Sequence, residues 1–178
     1  MEYRGFTLWL TGLPRSGKST VAGLVAGRLR SMGVERIEVL DGDIVREGLC
    51  KDLGFSREDR TENIRRIAFV SKLLTRNNVA VIVAAISPYR EDRELAREEI
   101  QSFVEVWANA SVEKCAERDY KGLYEKARRG EIQNFTGVND PYEAPDDADL
   151  VLDTGNDAPE TSAEQVMALL RERGFIKD

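Results

Sequence analysis

The residue types best suited to chemistry in this chain are two glycines, a lysine and a serine at fixed spacing near the N-terminus. The stretch Gly12–Thr20 reads GLPRSGKST and directly follows the apolar run Phe6–Leu10. Glycines let the backbone bring its N–H groups against phosphate oxygens, the lysine reaches the β- and γ-phosphates, and the next serine holds Mg²⁺. A strand, this loop and a helical pattern predict a nucleotide phosphate site. Its expected residues are Gly12, Leu13, Pro14, Arg15, Ser16, Gly17, Lys18, Ser19 and Thr20.

Two aspartates form the second candidate group. The chain contains no histidine, which removes the commonest general base and metal ligand of proteins. Histidine-dependent triads and zinc hydrolases are therefore excluded, and any proton acceptor must be a carboxylate. Asp41 and Asp43 follow the short apolar run Ile37–Leu40. The period of two in an extended backbone puts both carboxylates on one side.

The hydrophobic pattern predicts the elements that position these residues. Strands are expected at Phe6–Leu10, Ile37–Leu40, Val79–Ile86, Phe103–Trp107 and Leu150–Leu152. Helices are expected at about 17–32, 43–50, 56–77, 91–100, 111–119 and 162–174. This alternation predicts one α/β domain over residues 1–178. We expect a P-loop NTPase-type three-layer α/β/α sandwich around a mostly parallel five-stranded sheet.

Three polar stretches should meet at the carboxyl ends of the strands, where ligands of such sheets bind. They are the phosphate loop, Asp41–Asp43 and Ser87–Arg90. A fourth stretch, from about residue 120 to 145, is basic and is interrupted by glycines and prolines around a short helical part, Leu123–Arg129. Such a segment inside a compact domain is more typical of a functional lid than of a packing element.

The composition of the chain indicates which binding partners it lacks and in which cellular compartment we expect it. The net charge of −6 argues against a general nucleic-acid or membrane-surface binder. The apolar run Val79–Ile86 is too short to span a bilayer, and the chain leaves little room for a signal peptide before its first strand. Cys50 and Cys115 have no metal or redox spacing. We therefore expect reduced thiols in a cytoplasmic protein.

Further blocks of sequence resemble the adenylylsulfate kinase family in their order and spacing, over nearly the whole chain. These blocks are Asp41-Gly-Asp43 with Val45-Arg46, Asp52-Leu-Gly-Phe-Ser56, Asp59-Arg60, Glu62-Asn-Ile-Arg-Arg66, Ile86-Ser-Pro-Tyr-Arg90, Arg118-Asp119, Lys121-Gly-Leu-Tyr124, Lys126-Ala-Arg128, Phe135-Thr-Gly137 and Asp140-Pro-Tyr-Glu143. The resemblance implies transfer of the ATP γ-phosphate to the ribose 3′-hydroxyl of adenosine 5′-phosphosulfate (APS). The products would be 3′-phosphoadenosine 5′-phosphosulfate (PAPS) and ADP, and the family leads us to expect a homodimer.

The same resemblance implies which residues bind each nucleotide. Contacts to APS are expected from Asp43, Arg46, Phe55, Arg60, Asn63, Ile86, Ser87, Lys121, Gly122, Leu123 and Phe135. Cys115 and Arg118 are expected near the ATP adenine, beyond the phosphate loop. The residue types suit these ligands, because guanidinium groups bind phosphosulfate and aromatic rings stack on a base.

For the reaction, we assign Asp43 to accept or orient the 3′-hydroxyl proton and Asp41, with Ser19, to Mg²⁺. The two aspartate roles are interchangeable at this stage. Lys18 and the lid residues Lys121, Lys126 and Arg128 would supply positive charge, which carries most of the catalysis of phosphoryl transfer. Ser87 is assigned a hydrogen-bonding contact. Direct in-line transfer needs no phosphorylated serine, although family descriptions sometimes give one.

Other interpretations remain open on the residues alone. Arg57, Arg60, Arg65 and Arg66 also fit the solvated face of a long helix, and Phe55 and Phe135 also fit core or loop anchors. Cys115 also fits a buried small apolar residue, and Arg118 also fits a surface ion pair. Arg15 would either point outward or add charge near the nucleotide. A kinase of this fold acting on another acceptor, such as a sugar acid, and a non-catalytic nucleotide-dependent module are the rival functions.

Overall fold

A parallel sheet of five strands forms the centre of the computed structural model, which describes residues 3–177. The strands are β1 (Phe6–Thr11), β2 (Ile37–Asp41), β3 (Ala80–Ala84), β4 (Phe103–Ala108) and β5 (Leu150–Leu152). Their order is β2-β3-β1-β4-β5, and every neighbouring pair is parallel. The phosphate loop therefore leaves the middle of the sheet, with β2 and β3 on one flank and β4 and β5 on the other.

Helices cover both faces of the sheet. They are α1 (Lys18–Ser31), α2 (Gly42–Glu47), α3 (Arg57–Arg76), α4 (Arg90–Glu99), α5 (Val112–Glu117), α6 (Leu123–Arg128) and α7 (Pro159–Glu172). Side chains of β1 alternate between two cores: Leu8 and Leu10 pack with α1 and α7, and Trp9 packs with α3 and α4. This arrangement confirms the predicted three-layer α/β/α fold.

Local signals explain where most helices begin. Ser56 Oγ accepts a hydrogen bond from the Asp59 backbone N–H at 3.1 Å, so Ser56 caps α3 at the start that the sequence predicted for this helix. Ser111 caps α5 in the same way, through Lys114 N–H at 3.2 Å. No helix among residues 3–177 combines the length and apolar character needed to cross a membrane.

Several predicted boundaries differ from the structure: the helix expected at 43–50 ends at Glu47, and two other differences have a local cause. The strand expected to reach Ile86 ends at Ala84, because the chain turns out of the sheet and Ser87 has a φ of 41°. The last helix begins at Pro159 rather than Ser162, since proline is favoured at the first helical position, where its missing N–H costs no hydrogen bond.

Candidate functional site

The phosphate loop has a backbone that requires glycine at both predicted positions. Gly12 and Gly17 have φ angles of 154° and 98°. A Cβ on Gly12 would lie 2.6 Å from the Ala108 carbonyl oxygen and 2.7 Å from Ser16 Oγ. Gly17 is the N-cap of α1, so the N-terminus of this helix points its partial positive charge at the loop.

Lys18 lies inside the loop and is only 8% exposed. Its ammonium group donates to the carbonyl oxygens of Gly12 at 3.0 Å and Leu13 at 2.7 Å. Burial lowers the pKa of Lys18 to about 8, against the opposing effect of Cys115, Asp41 and Asp43. A lysine held in the hollow of the loop is placed to meet phosphate oxygens.

Ser19 and Asp41 meet at the end of β2, and Asp43 follows in the first turn of α2 rather than in the extended backbone that we had expected. The Ser19 hydroxyl donates to Asp41 Oδ2 at 2.5 Å, and Asp41 Oδ1 accepts from the Asp43 backbone N–H at 3.0 Å. Asp41 is therefore the N-cap of α2, whereas the expected start of this helix at residue 43 would have given that role to Asp43. Asp43 itself is exposed in the first turn, and its charge acts on both Lys18 and Arg46.

The donor set beside Lys18 suits magnesium. Residues 3–177 contain no cluster of three acidic, histidine or cysteine side chains that would form an all-protein metal site. A serine hydroxyl beside one carboxylate matches instead an ion that keeps several waters and binds substrate phosphates.

The ring of Phe55 is exposed and lies near the guanidinium groups of two arginines. Its side chain is 56% exposed, and its ring centre lies 4.5 Å from the Arg46 guanidinium carbon and 5.5 Å from that of Arg60. Arg46 is held in place by the Gly54 carbonyl at 2.8 Å. The structure thus brings together an open ring and two cations, as predicted for binding an anionic nucleotide.

Arg60 is more buried than the helix-face interpretation implied, at 6% exposure. Its guanidinium donates to the carbonyl oxygens of Phe55 at 3.2 Å and Asn134 at 2.5 Å, and lies 3.6 Å from the Asp140 carboxylate. Arg60 therefore joins the start of α3 to the lid. Part of the guanidinium that we expected to bind the anion is used for this connection.

Asn63 lies almost one helical turn after Arg60 and is also 6% exposed. Its Oδ1 atom is buried and has no hydrogen-bond partner among the described residues. Leaving such an acceptor unpaired costs about 1–3 kcal/mol, and such groups in native structures usually have an explanation. A donor on a bound ligand would provide one.

Ser87 does not present its hydroxyl to the site. The side chain is 1% exposed, and its Oγ accepts from the Trp9 indole N–H at 3.0 Å and donates to the Ala85 carbonyl at 3.3 Å. The preceding residue, Ile86, is half-buried. Ser87 is therefore buried as a whole, and its φ of 41° sets the direction in which the chain leaves the end of β3.

The lid packs directly on the phosphate loop. Tyr124 donates to the Pro14 carbonyl at 2.7 Å, and the half-buried Phe135 packs edge-on against Tyr124 with ring centres 4.9 Å apart. Cys115 is buried in the same cluster. Phe135 follows Asn134, whose carbonyl binds Arg60, so the lid carries Phe135 toward the Phe55 side.

Other predicted residues lie around the base of the lid. The Arg15 side chain lies 3.8 Å from Asp119 and 4.4 Å from the Tyr120 ring centre. Its charge also acts on the Lys18 ammonium, so this direction does not remove its charge from the phosphate loop. Arg118 donates to the Thr154 carbonyl at 2.7 Å. Lys121 is exposed, Gly122 is the left-handed N-cap of α6, and Leu123 is half-buried. Thr20 is exposed in the first turn of α1.

A buried ion pair near the site was not predicted. Arg93 is 2% exposed and donates to Glu105 Oε1 at 2.8 Å, beneath the end of β3. The lid residue Tyr142 shares a 3.0 Å hydrogen bond with Thr11. The available signal was the single acidic residue, Glu105, within the otherwise apolar strand Phe103–Trp107. A charge at such a position requires a buried partner.

Comparison with known proteins agrees with the geometry. The family model described as adenylylsulphate kinase matches residues 4–153. The chain belongs to the adenylylsulfate kinase family. The adenylyl-sulfate kinase of Picosynechococcus sp. is 56% identical and the match covers 99% of both chains.

Two solved structures of adenylylsulfate kinases are similar to the chain. One is the Mycobacterium tuberculosis APS kinase CysC in complex with AMPPNP and APS, with a TM-score of 0.89 and 46% identity over 96% of this chain and 99% of that one. The other is the hexameric APS kinase of Thiobacillus denitrificans, with a TM-score of 0.76 and 35% identity over 99% of this chain and 30% of that one.

Proposed function

We propose that the chain transfers the γ-phosphate of ATP to the ribose 3′-hydroxyl of APS, giving PAPS and ADP. The observation that carries the acceptor assignment is the exposed ring of Phe55 between two guanidinium groups, near the unpaired amide oxygen of Asn63. An adenine nucleotide supplies a π-face, an anion and hydrogen-bond donors for these groups. A small sugar acid would leave the ring without a partner.

The donor nucleotide is assigned to the phosphate loop. Backbone N–H groups of Gly12–Thr20 and the Lys18 ammonium bind the phosphates, next to the N-terminus of α1. Cys115 and Arg118 are proposed to lie beside the ATP adenine. Arg118 is already held at its guanidinium end by the Thr154 carbonyl, so little further ordering is needed on binding.

The two aspartates have different roles in this proposal. Asp41 bonds to Ser19 and caps α2, so we assign it with Ser19 to Mg²⁺. The bound ion would neutralise the charge of the β- and γ-phosphates. Asp43 is exposed and lies within electrostatic range of Lys18, so we assign it to orient the 3′-hydroxyl and accept its proton.

Ser87 is proposed to position APS by fixing the direction of the backbone at the end of β3. Its hydroxyl is committed to Trp9 and the Ala85 carbonyl, which argues against a phosphoserine intermediate. Lys121, Gly122, Leu123 and Phe135 are proposed to reach APS from the lid. Lys126 and Arg128, on exposed positions of α6, would add positive charge to the lid.

The test is ADP production with Mg·ATP across a panel of acceptors. The panel contains APS, adenosine phosphates, gluconate and shikimate at matched concentrations. We expect APS to give turnover well above every other acceptor and PAPS to be the product by mass. Equal turnover with gluconate or shikimate would overturn the acceptor assignment.

We also propose a homodimer in the cytoplasm. The buried, unpaired thiols of Cys50 and Cys115 suit a reducing compartment. The dimer rests on the family resemblance, whereas the solved relative from Thiobacillus denitrificans is described as hexameric. Sedimentation velocity at micromolar concentration should give a single species of twice the chain mass. A monomer or a hexamer would contradict the dimer.

A further inference from the structure

Arg93 connects three parts of the chain that border the acceptor side of the site. Its guanidinium donates to Glu105 Oε1 of β4 at 2.8 Å, to the Ser87 carbonyl at 2.6 Å and to the Glu143 carbonyl at 2.6 Å. The side chain is 2% exposed. Only a planar group with several fixed donors serves three such acceptors at once.

Ser87 depends on this contact because its own conformation is unfavourable. Its φ of 41° is uncommon for a residue with a Cβ and persists only where the surroundings hold it. The hydroxyl is bound by Trp9, and the carbonyl is bound by Arg93 and also accepts from Thr11 Oγ1 at 3.4 Å. These contacts set the direction in which the Ile86–Ser87 backbone faces the site.

The end of the lid is fixed to the same place. Glu143 donates its backbone N–H to the Pro88 carbonyl at 2.8 Å, and its Oε2 accepts from the Arg90 backbone N–H at 2.8 Å. Three residues earlier, Asp140 lies 3.6 Å from Arg60 and 3.3 Å from the Tyr89 hydroxyl. Arg93 thus acts on the acceptor side through both the strand end and the lid.

We propose that Arg93 is a positioning residue that sets the affinity for the acceptor nucleotide by holding the end of β3 and the end of the lid against each other. The inference rests on the proposed function for the identity of the acceptor. A displacement of about 1 Å in a positioning element lowers catalysis by up to about 100-fold. Arg93 donates its own hydrogen bonds to Glu105, Ser87 and Glu143, none of which belongs to the phosphate loop, so the effect should be larger for APS than for ATP.

The test compares Arg93→Lys with Arg97→Lys. Arg97 belongs to the same ion-pair network, binding Glu105 and Asp149 at 3.1 Å each, but it makes no hydrogen bond to Ser87 or Glu143. We expect Arg93→Lys to raise the KM for APS by about tenfold or more while the KM for ATP stays within about twofold. Arg97→Lys should leave the KM for APS and the KM for ATP within about twofold of wild type, even if it lowers the thermal stability of the protein as much as Arg93→Lys does.

Two further measurements make the result decisive. In Arg93→Lys, amide hydrogen exchange of the peptide covering residues 140–145 should accelerate; this readout needs no substrate. It therefore tests the positioning role even if the wild-type protein fails to phosphorylate APS. Such a failure would contradict the proposed function but not the positioning role of Arg93.

If Arg93→Lys does not fold, Glu143→Ala, which removes the contact to the Arg90 N–H, should raise the KM for APS. Equal effects of the two arginine variants, unchanged exchange, or an unchanged KM in Glu143→Ala would overturn the proposal.

Discussion

Ser19 donates a hydrogen bond of 2.5 Å to Asp41, and this contact joins the first turn of α1 to the end of β2. The same carboxylate caps α2 through the Asp43 N–H. One side chain therefore fixes the relative position of the Ser19 hydroxyl and of the helix that carries Asp43. Under the proposed function, the ATP side and the APS side of the site meet at Asp41.

Replacement of Asp41 should weaken the response to magnesium. In Asp41→Asn we expect the Mg²⁺ concentration for half-maximal activity to rise by about tenfold, because a neutral amide attracts the hydrated ion less. Magnesium titration of ADP production measures it. Glu38→Gln, an exposed change on the same strand, is the control. Superimposable titration curves for Asp41→Asn and wild type would contradict the assignment.

Asp43→Asn should abolish turnover by removing the proton acceptor. The loss of a positioned general base lowers rates by about 10²–10⁴-fold. ATP affinity, measured by isothermal titration, should stay within a few-fold, since Asp43 makes no contact with the phosphate loop other than through its charge. Glu47→Gln in the same helix α2 should behave as wild type. Turnover retained in Asp43→Asn would remove the base assignment.

Phe55→Ala should weaken APS binding without changing ATP binding. Stacking of a base on an aromatic ring contributes about 1–3 kcal/mol, so the KM for APS should rise by about tenfold. Phe69→Ala is a matched control, because Phe69 is 52% exposed against 56% for Phe55 and lies on α3. Steady-state kinetics with each nucleotide varied in turn measures both. Similar KM values in the two variants would mean that Phe55 is a surface residue only.

ATP affinity should fall as the pH rises through the pKa of Lys18. Burial lowers this pKa to about 8 in the protein, and the protonated ammonium is the form that pairs with phosphate. ATP therefore binds most tightly below the pKa of Lys18 in the free protein. Above that pKa the Kd should rise by up to about tenfold per pH unit, until the pH reaches the higher pKa that Lys18 has in the ATP complex.

Titration calorimetry between about pH 7.5 and 9.5 measures this dependence, and binding above the pKa should take up a proton. Lys18→Met should bind ATP weakly and lose the dependence. A wild-type Kd that does not change across this range would show that the Lys18 ammonium is not the titrating group.

The sequence predicted those parts of the site that depend on short-range chemistry. The glycines of the phosphate loop, the cap at Ser56 and the strand-end aspartates each follow from a few neighbouring residues, and the structure has all of them. The parallel sheet followed from the alternation of strand and helix patterns. Which aspartate caps α2 did not follow, because Asp41 and Asp43 are equally good cap residues by type.

Long-range partners account for the rest. Arg60 was expected to bind an anion, and its contact with Asn134 joins residues far apart in the chain. The orientation of Ser87 depends on its positive φ. Serine rarely adopts such an angle, so the sequence gives no sign of it. In the sequence, Arg93 is one of several charged residues of a polar helix, and nothing near it predicts that it is buried. Its burial follows from its hydrogen bonds to Glu105 and to the Glu143 carbonyl of the lid.

Gly137 of the lid lies against Leu13 of the phosphate loop so closely that a Cβ would come within 2.7 Å of Leu13 Cδ2. Its φ of 91° adds a second restriction, so even alanine is disfavoured there. Because Leu13 Cδ2 is the end of a flexible side chain, the positive φ is the stronger of the two restrictions. Under the proposed function, a side chain that forced this turn to change shape would also shift Phe135, two residues earlier, away from the acceptor.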